Sequence, residues 1–240
     1  LVSGTNKPVA LIKSDQRVPS VAVDSNDITY VVWYGSDSEN DPGNRQIKYT
    51  KSIDGGNTWD NWENISPVFG YSNNDYWQEH PSISISRSNE LYIVWEGKDA
   101  KNNYQQIKFS KSINGGRDWT QWINISTSPN NTQSRPSIVQ DNNGRLHVLM
   151  YSSFGGQTQQ IQYSYSDNNG DSWSAWQNIS NSPFDSRHVS ISIDKENNLY
   201  AVWRSKSNDD EPAQIYFSVF KNDRWSKSII VAKSSNNQFF

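Results

Sequence analysis

One two-residue phrase recurs four times along this chain and limits what it can fold into. Gln-Ile stands at Gln46-Ile47, Gln106-Ile107, Gln160-Ile161 and Gln214-Ile215. An apolar run precedes each copy, over Ile28–Trp33, Leu91–Trp95, Leu146–Tyr151 and Leu199–Trp203. A turn rich in Gly and Asn follows each, and then a tryptophan: Trp59, Trp119, Trp173 and Trp225, spaced 60, 54 and 52 residues apart. Each copy holds four strand-like segments, A to D. In the first they are Ser20–Val23, Ile28–Tyr34, Gln46–Ser52 and Trp62–Ile65. Turn signals such as Asp141-Asn-Asn-Gly144 join A to B as a hairpin. Four-stranded antiparallel units repeated at this period predict an all-β chain, a β-propeller of four blades. A β-sandwich would account for the strands but not for the close repetition. The expected organisation is one domain over 1–240, with blades at about 15–66, 77–126, 133–180 and 185–235. Residues 1–14 add an N-terminal strand over Pro8–Lys13, and Ile229–Ala232 a lone strand at the far end. Either the four blades close by pairing these ends, or they are part of a larger ring.

Composition agrees with a sheet protein. Hydrophobic residues are only 33% of the 240, a level that hints at disorder, but 11 Trp, 12 Tyr and 8 Phe supply large buried areas from few positions. The net charge of −3 gives no reason to expect nucleic acid as a partner. No apolar run is long enough for membrane insertion. There is no Cys, and hence no disulfide framework. His80, His147 and His188 lack metal-ligand spacing. No phosphate-binding loop or serine-nucleophile motif is present, so no metal and no cofactor is expected. The chain opens at Leu1 without an initiator Met and reads as a mature form or a fragment.

The C–D turns carry a further motif. They read Ser52-Ile-Asp54-Gly-Gly56-Asn-Thr58-Trp59, Ser112-Ile-Asn114-Gly-Gly116-Arg-Asp118-Trp119 and Ser166-Asp-Asn168-Asn-Gly170-Asp-Ser172-Trp173. This resembles the Asp-box (BNR repeat) of the sialidase-like propeller family. The fourth copy, ending at Trp225, is two residues shorter and has lost the box. The physical reading is structural: Asp54, Asn114 and Asn168 accept turn amides, while Gly56, Gly116 and Gly170 permit positive φ. Trp59, Trp119 and Trp173 are expected to be buried between blades. The resemblance implies that the boxes lie on the face opposite the binding site.

The other face gathers the D–A and B–C loops. Each strand A starts with its own repeat: Arg17-Val-Pro19-Ser20, Glu79-His80-Pro81-Ser82, Ser134-Arg135-Pro136-Ser137 and Arg187-His188-Val189-Ser190. The pseudo-symmetry brings these starts toward one axis. The B–C loops add Tyr34, Asp37, Glu39, Asp41 and Arg45, then Glu96, Lys98 and Tyr104, then Tyr151 and Phe154, then Arg204, Asp209 and Asp210. Candidate ligand-binding residues are therefore Arg17, Tyr34, Asp41, Glu79, His80, Glu96, Arg135, Tyr151, Arg187, His188 and Arg204. Arg17, Arg135 and Arg187 are expected to converge, with Glu79 opposing them. The bland alternative is that these residues only pair with one another around a solvated channel.

Arg17-Val-Pro19 resembles the Arg-x-Pro ahead of the first sialidase blade, whose Arg clamps a substrate carboxylate. Asp41, with Asp37 as the second choice, lies in the stretch where the resemblance implies an acid/base residue. The later blades depart from the pattern: sialidases have six, and no Tyr–Glu nucleophile pair is identifiable here by spacing. The resemblance and the loops together imply an extracellular or cell-surface propeller that binds a glycan or protein ligand, one with an anionic group, without catalysis. A sialidase-type glycoside hydrolase or a fragment of one, and a structural or assembly module, are the alternatives. Asn64, Asn124, Asn130 and Asn178 lie in Asn-x-Ser/Thr sequons, three of which simply repeat strand D.

Overall fold

The computed structural model describes residues 8–37, 43–67, 76–126, 131–153, 158–208 and 210–232, without the side chain of Asn103. Among them there is no helix. The first sheet is β1 (Gln16–Val23), β2 (Thr29–Gly35), β3 (Gln46–Ser52) and β4 (Glu63–Asn64), hydrogen-bonded in chain order. The second repeats it with β5 (Gln78–Ile85), β6 (Leu91–Asp99), β7 (Asn102–Ser112) and β8 (Ile123–Asn124). The third uses β9 (Gln133–Gln140), β10 (Leu146–Ser152), β11 (Gln160–Ser166) and β12 (Gln177–Asn178). The fourth holds β13 (Ser186–Ile193), β14 (Leu199–Ser205), β15 (Gln214–Lys221), β16 (Arg224–Trp225) and β17 (Ile229–Ala232). The innermost strands lie side by side: β1 on β5, β5 on β9, β9 on β13. The sheets do not close, and the ring is partial.

The repeated residues are the joints of each blade. In the Gln-Ile phrase the isoleucine enters the core, and its amide donates to the serine that ends Asn-Ile-Ser: Ile47 to Ser66 Oγ and Ile107 to Ser126 Oγ at 2.8 Å, Ile161 to Ser180 Oγ at 3.0 Å. The glutamine accepts from that same hydroxyl, Ser66 to Gln46 at 3.1 Å and Ser180 to Gln160 at 2.7 Å. These side chains hold a two-residue strand D that its own ladder could not. Asn64 and Asn124 are tied in beneath: their amide nitrogens donate to Asp37 and Asp99, and their carbonyls accept from the fully buried Lys48 and Lys108. Glu39, Asp41, Asn130, Phe154 and Asp209 lie outside the described residues.

The box turns do structural work. Gly56 N donates to Ser52 Oγ at 2.9 Å, and Thr58 N to Asp54 Oδ1 at 2.9 Å. Asn114 and Asn168 make the same bond to Asp118 N and Ser172 N. The hydroxyl and amide of Thr58 hold the Asp54 carboxyl down to about 2. Gly56, Gly116 and Gly170 all have φ between 81° and 88°.

Three apolar cores lie between the four sheets. Each packs the trailing face of one blade, as Tyr30, Val32, Ile47 and Tyr49, against the leading face of the next, as Ile83, Ile93 and Trp95. Two expectations need correction. Trp119 and Trp173 do pack between blades, but the box tryptophans are only half-buried, and the fully enclosed indoles are Trp95 and Trp203 of strand B. The lone strands also differ. Residues 8–15 form no ladder with the other described residues. Ile229–Ala232 is not a lone strand. Its pairs Tyr216↔Ile230 and Phe217↔Ile229 match Lys48↔Asn64 and Tyr49↔Glu63, so β17 is strand D of blade four, in the same register.

Candidate functional site

At the end opposite the box turns, every strand A starts through the same irregularity. Val18, His80, Arg135 and His188 adopt φ of 49°, 52°, 49° and 56°. The ladder loses register there, between Arg17 and Ser20, Glu79 and Ser82, and Arg187 and Ser190. Three of these residues precede proline, which disfavours compact conformations, and a non-glycine residue in the left-handed region costs about 1–3 kcal/mol. The bulge places two consecutive side chains at the channel mouth, as Glu79 and His80 demonstrate by meeting at 3.7 Å.

The residue before each irregularity pairs across to the end of strand B. The four cross-strand pairs are Arg17↔Tyr34, Glu79↔Glu96, Ser134↔Tyr151 and Arg187↔Arg204. Two of them set like charges directly opposite, an arrangement that destabilises a sheet. The acidic pair is neutralised locally. Arg45 reaches Glu79 at 2.5 Å, and His80 Nδ1 lies 2.9 Å from Glu96 Oε1, while Glu96 Oε2 accepts the Arg135 backbone N–H. Burial raises the Glu79 carboxyl against the pull of Arg45. Glu79, His80 and Glu96 bring ligand atoms within 4.8 Å of one another, a set that sequence spacing did not reveal. Arg45 pairs with Glu79 Oε1, and His80 and the Arg135 amide engage the two Glu96 oxygens, so the set is a poor cation cage.

The basic pair has a different environment. Arg187 donates to Asp185 at 2.6 Å, both half-exposed. Next to it, burial lowers His188 to about 4, and Arg135, Arg204 and Arg187 lower it further. His188 is therefore neutral at pH 7, and its ring lies edge-on to Tyr151 at 6.0 Å. Burial and nearby Glu96 raise the Tyr151 phenol; burial and Glu79 raise that of Tyr34. Each tyrosine thus feels the charge of a glutamate that sequence spacing did not link to it.

The expected convergence is changed in composition. Arg135, Arg204 and Arg187 all act electrostatically on His188. Arg17 stands apart over Tyr34, held by Asp15 at 2.7 Å, in an open cleft of roughly 570 Å³ shared with Lys13 and Arg45. Glu79 is not the sole opposing acid, since Glu96, Asp15 and Asp185 also face these cations. Arg45, expected in the B–C loop ring of blade one but outside the candidate ligand-binding residues, joins the site through Glu79.

No protein-family model and no curated protein matches the chain. Solved structures do, and all share this fold. A leech intramolecular trans-sialidase complexed with 2,7-anhydro-Neu5Ac superposes with a TM-score of 0.70 at 13% identity, over 96% of this chain and 54% of the other. A PL25 ulvan lyase bound to -[GlcA(1-4)Rha3S]- gives 0.67 at 11% identity, over 91% and 56%. A Penicillium chrysogenum α-L-arabinanase complexed with arabinobiose gives 0.70 at 14% identity, over 96% and 70%. The chain spans about half the length of several of these propellers, 46% in the case of the Hadza microbial sialidase Hz136. At such identities the likeness establishes a sialidase-like β-propeller fold.

Proposed function

We propose that this chain binds an acidic glycan at the channel mouth, outside the cell, without transforming it. The observation that carries this reading is the Arg187↔Arg204 pair with Arg135 and His188 alongside. A sheet gains nothing from opposing two guanidiniums, and planar donor forks match a carboxylate or sulfate at two points. The ulvan lyase and trans-sialidase structures, whose ligands carry acidic sugars, add support for an acidic glycan over a protein ligand. That no helix among the described residues is long and apolar enough to span a membrane is compatible with this placement.

Calorimetric titration with uronate-bearing and neutral oligosaccharides tests it. The acidic series is expected to bind, more weakly as salt rises. Arg187→Ala or Arg204→Ala is expected to cost about 1.5–3 kcal/mol, the worth of a hydrogen bond to a charged group. Asp54→Ala, at the far end, is expected to leave affinity unchanged. Equal binding of neutral and acidic sugars would remove the basis of the proposal.

A hydrolase or lyase reading is favoured by one feature, the electrostatic influence of Glu96 on Tyr151. Against it, the phenol is pushed up rather than down, and Glu96 is already engaged by His80 and the Arg135 amide. No turnover of a fluorogenic sialoside is expected. Turnover that disappears in Tyr151→Phe would establish the enzyme.

A further inference from the structure

At the box end the joint between blades three and four departs from the plan of the two joints before it. Between blades one and two, the cross-strand pair Tyr30↔Lys51 holds the box turn of blade two. Lys51 Nζ donates to the Gly115 carbonyl at 3.0 Å, and the Tyr30 hydroxyl lies beside that glycine. Between blades two and three the pair is Tyr92↔Lys111. Both side chains donate to Asn169, the lysine to its carbonyl at 2.9 Å and the tyrosine to Oδ1 at 3.5 Å. Between blades three and four the pair becomes His147↔Tyr165. The box opposite it is gone as well. A two-residue hairpin replaces it, Asn222-Asp223, whose φ of 53° and 58° are both positive, as a type I′ turn requires. Three departures from the repeat thus fall in one place.

A cleft of roughly 810 Å³ lies there, walled by blade three on one side and by the hairpin and shortened turn of blade four on the other. Its carboxylates, Asp141, Asp167, Asp194, Glu196 and Asp223, outnumber its two cations, Arg145 and Lys221. Arg145 lies over the Tyr165 ring at 4.4 Å and pairs with the exposed Asp167 at 2.6 Å and Asp223 at 3.4 Å. Deeper in stands His147, 2% exposed, whose Nε2 has no hydrogen-bond partner among the described residues. Asp141 Oδ2 faces that nitrogen at 3.6 Å, while Oδ1 accepts the Asn143 and Arg145 backbone N–H groups. A buried polar atom without a partner is a cost to the fold. The tyrosines at this position in the other blades do not incur it, since each hydroxyl donates to a carboxylate: Tyr30 to Asp24, Tyr92 to Glu90 and Tyr200 to Asp194.

We propose that this cleft binds an amino sugar, its primary ammonium seated between His147 Nε2 and Asp141 Oδ2. The imidazole then takes the tautomer in which Nδ1–H donates to Tyr163 Oη, 2.8 Å away, and Nε2 keeps its lone pair. Two acceptors side by side call for one atom with several donors, and an ammonium brings three N–H groups and the charge that offsets Asp141. Asn143 and Asn222, exposed at the rim, offer amides to the hydroxyls of the ring. A divalent cation suits the cleft less well. Among the described residues, three ligand atoms come within 4.8 Å of one another at Glu79, His80 and Glu96, and nowhere in this cleft. The excess of carboxylates also repels the acidic glycans proposed for the channel mouth, so the two ends of the propeller take ligands of opposite charge.

Titration of the 240-residue chain at neutral pH with glucosamine, N-acetylglucosamine, glucose and zinc chloride decides the matter, followed by calorimetry and by the imidazole nitrogen resonances. Glucosamine is expected to bind and to shift the His147 Nε2 signal while those of His80 and His188 stay in place. Glucose and N-acetylglucosamine, which lack the charged amine, are expected to bind about tenfold more weakly or worse. His147→Tyr, whose hydroxyl can donate to Asp141 as tyrosines do in the other blades, is expected to lose at least about tenfold in glucosamine affinity with its fold intact by circular dichroism. Asp141→Asn is expected to lose as much. Glucose binding as tightly as glucosamine, or undiminished glucosamine binding by folded His147→Tyr, overturns the proposal. So does a parent chain that binds no glucosamine, and a zinc-induced shift of Nε2 in that case assigns the cleft to a metal instead.

Discussion

Replacing Trp95 with alanine is expected to lower the unfolding free energy by about 3–5 kcal/mol, the range for a large aromatic truncated inside a core. The indole is fully buried between blades one and two, among Tyr30, Val32, Ile47 and Ile83. Its Nε1 donates to Gln78 Oε1 at 2.8 Å, so the substitution leaves both a cavity and a buried acceptor without its donor. Gln78 in turn donates to the Tyr76 and Lys98 carbonyls, which fixes the start of strand A just before Glu79 and His80. The loss should therefore reach the channel mouth as well as the core. Trp59→Ala is the control. That ring is only half-buried on a turn whose neighbouring residues are exposed, and a much smaller loss is expected. Urea unfolding followed by circular dichroism measures both. If Trp95→Ala stayed within about 1 kcal/mol of the parent chain, the inter-blade core would be wrongly located. Stacked repeats unfold in parts when their interfaces weaken, so a broadened transition in Trp95→Ala would have the same origin.

Much of the fold was legible because its signals are local. The Gln-Ile and Asn-Ile-Ser phrases recur since each supplies one end of a bond that secures strand D, and the box sequence encodes its own turn. Strand order followed from the repeat. What the sequence concealed is what depends on long-range pairing. Tyr151 and Glu96 belong to different blades, and no spacing rule links them. Arg45 acts on the blade after its own. The prolines marked where strand A starts, but not the left-handed residue before them, which turns two consecutive side chains toward the mouth. Strand β17 was seen as a stretch of apolar residues, while its place became evident only from its register on β15. The box tryptophans misled for a related reason. They are conspicuous in sequence because the turn needs them, whereas Trp95 and Trp203 merge into apolar runs and yet hold the deeper positions.

Acid is expected to destabilise the chain in two separate windows, and the upper one traces to a break in the repeat. In blades one and four the second residue of strand B is a tyrosine whose hydroxyl donates to the hairpin aspartate, Tyr30 to Asp24 at 3.0 Å and Tyr200 to Asp194 at 2.7 Å. Blade three has His147 there, 2% exposed, with Nδ1 2.8 Å from the Tyr163 hydroxyl and Nε2 3.6 Å from Asp141. Burial pushes the imidazole down to about 4 in spite of Asp141. In the unfolded chain it titrates near 6.5. Between those values the unfolded state binds the extra proton, so stability is constant above pH 6.5 and falls as pH drops toward 4, by about 3 kcal/mol once both values are passed. The carboxyls of Asp54, Asp99 and Asp194, each held near 2, begin to cost stability only below that range. His188 shares the upper window but is partly exposed, so the informative quantity is a difference. His147→Tyr restores the residue of the other blades with Asp141 positioned to accept its hydroxyl. It is expected to match or exceed the parent chain at pH 7, with its advantage widening by about 3 kcal/mol on going to pH 4. Melting temperatures of the two proteins that fall in parallel from pH 7 to pH 4 would show that His147 is not the group being protonated.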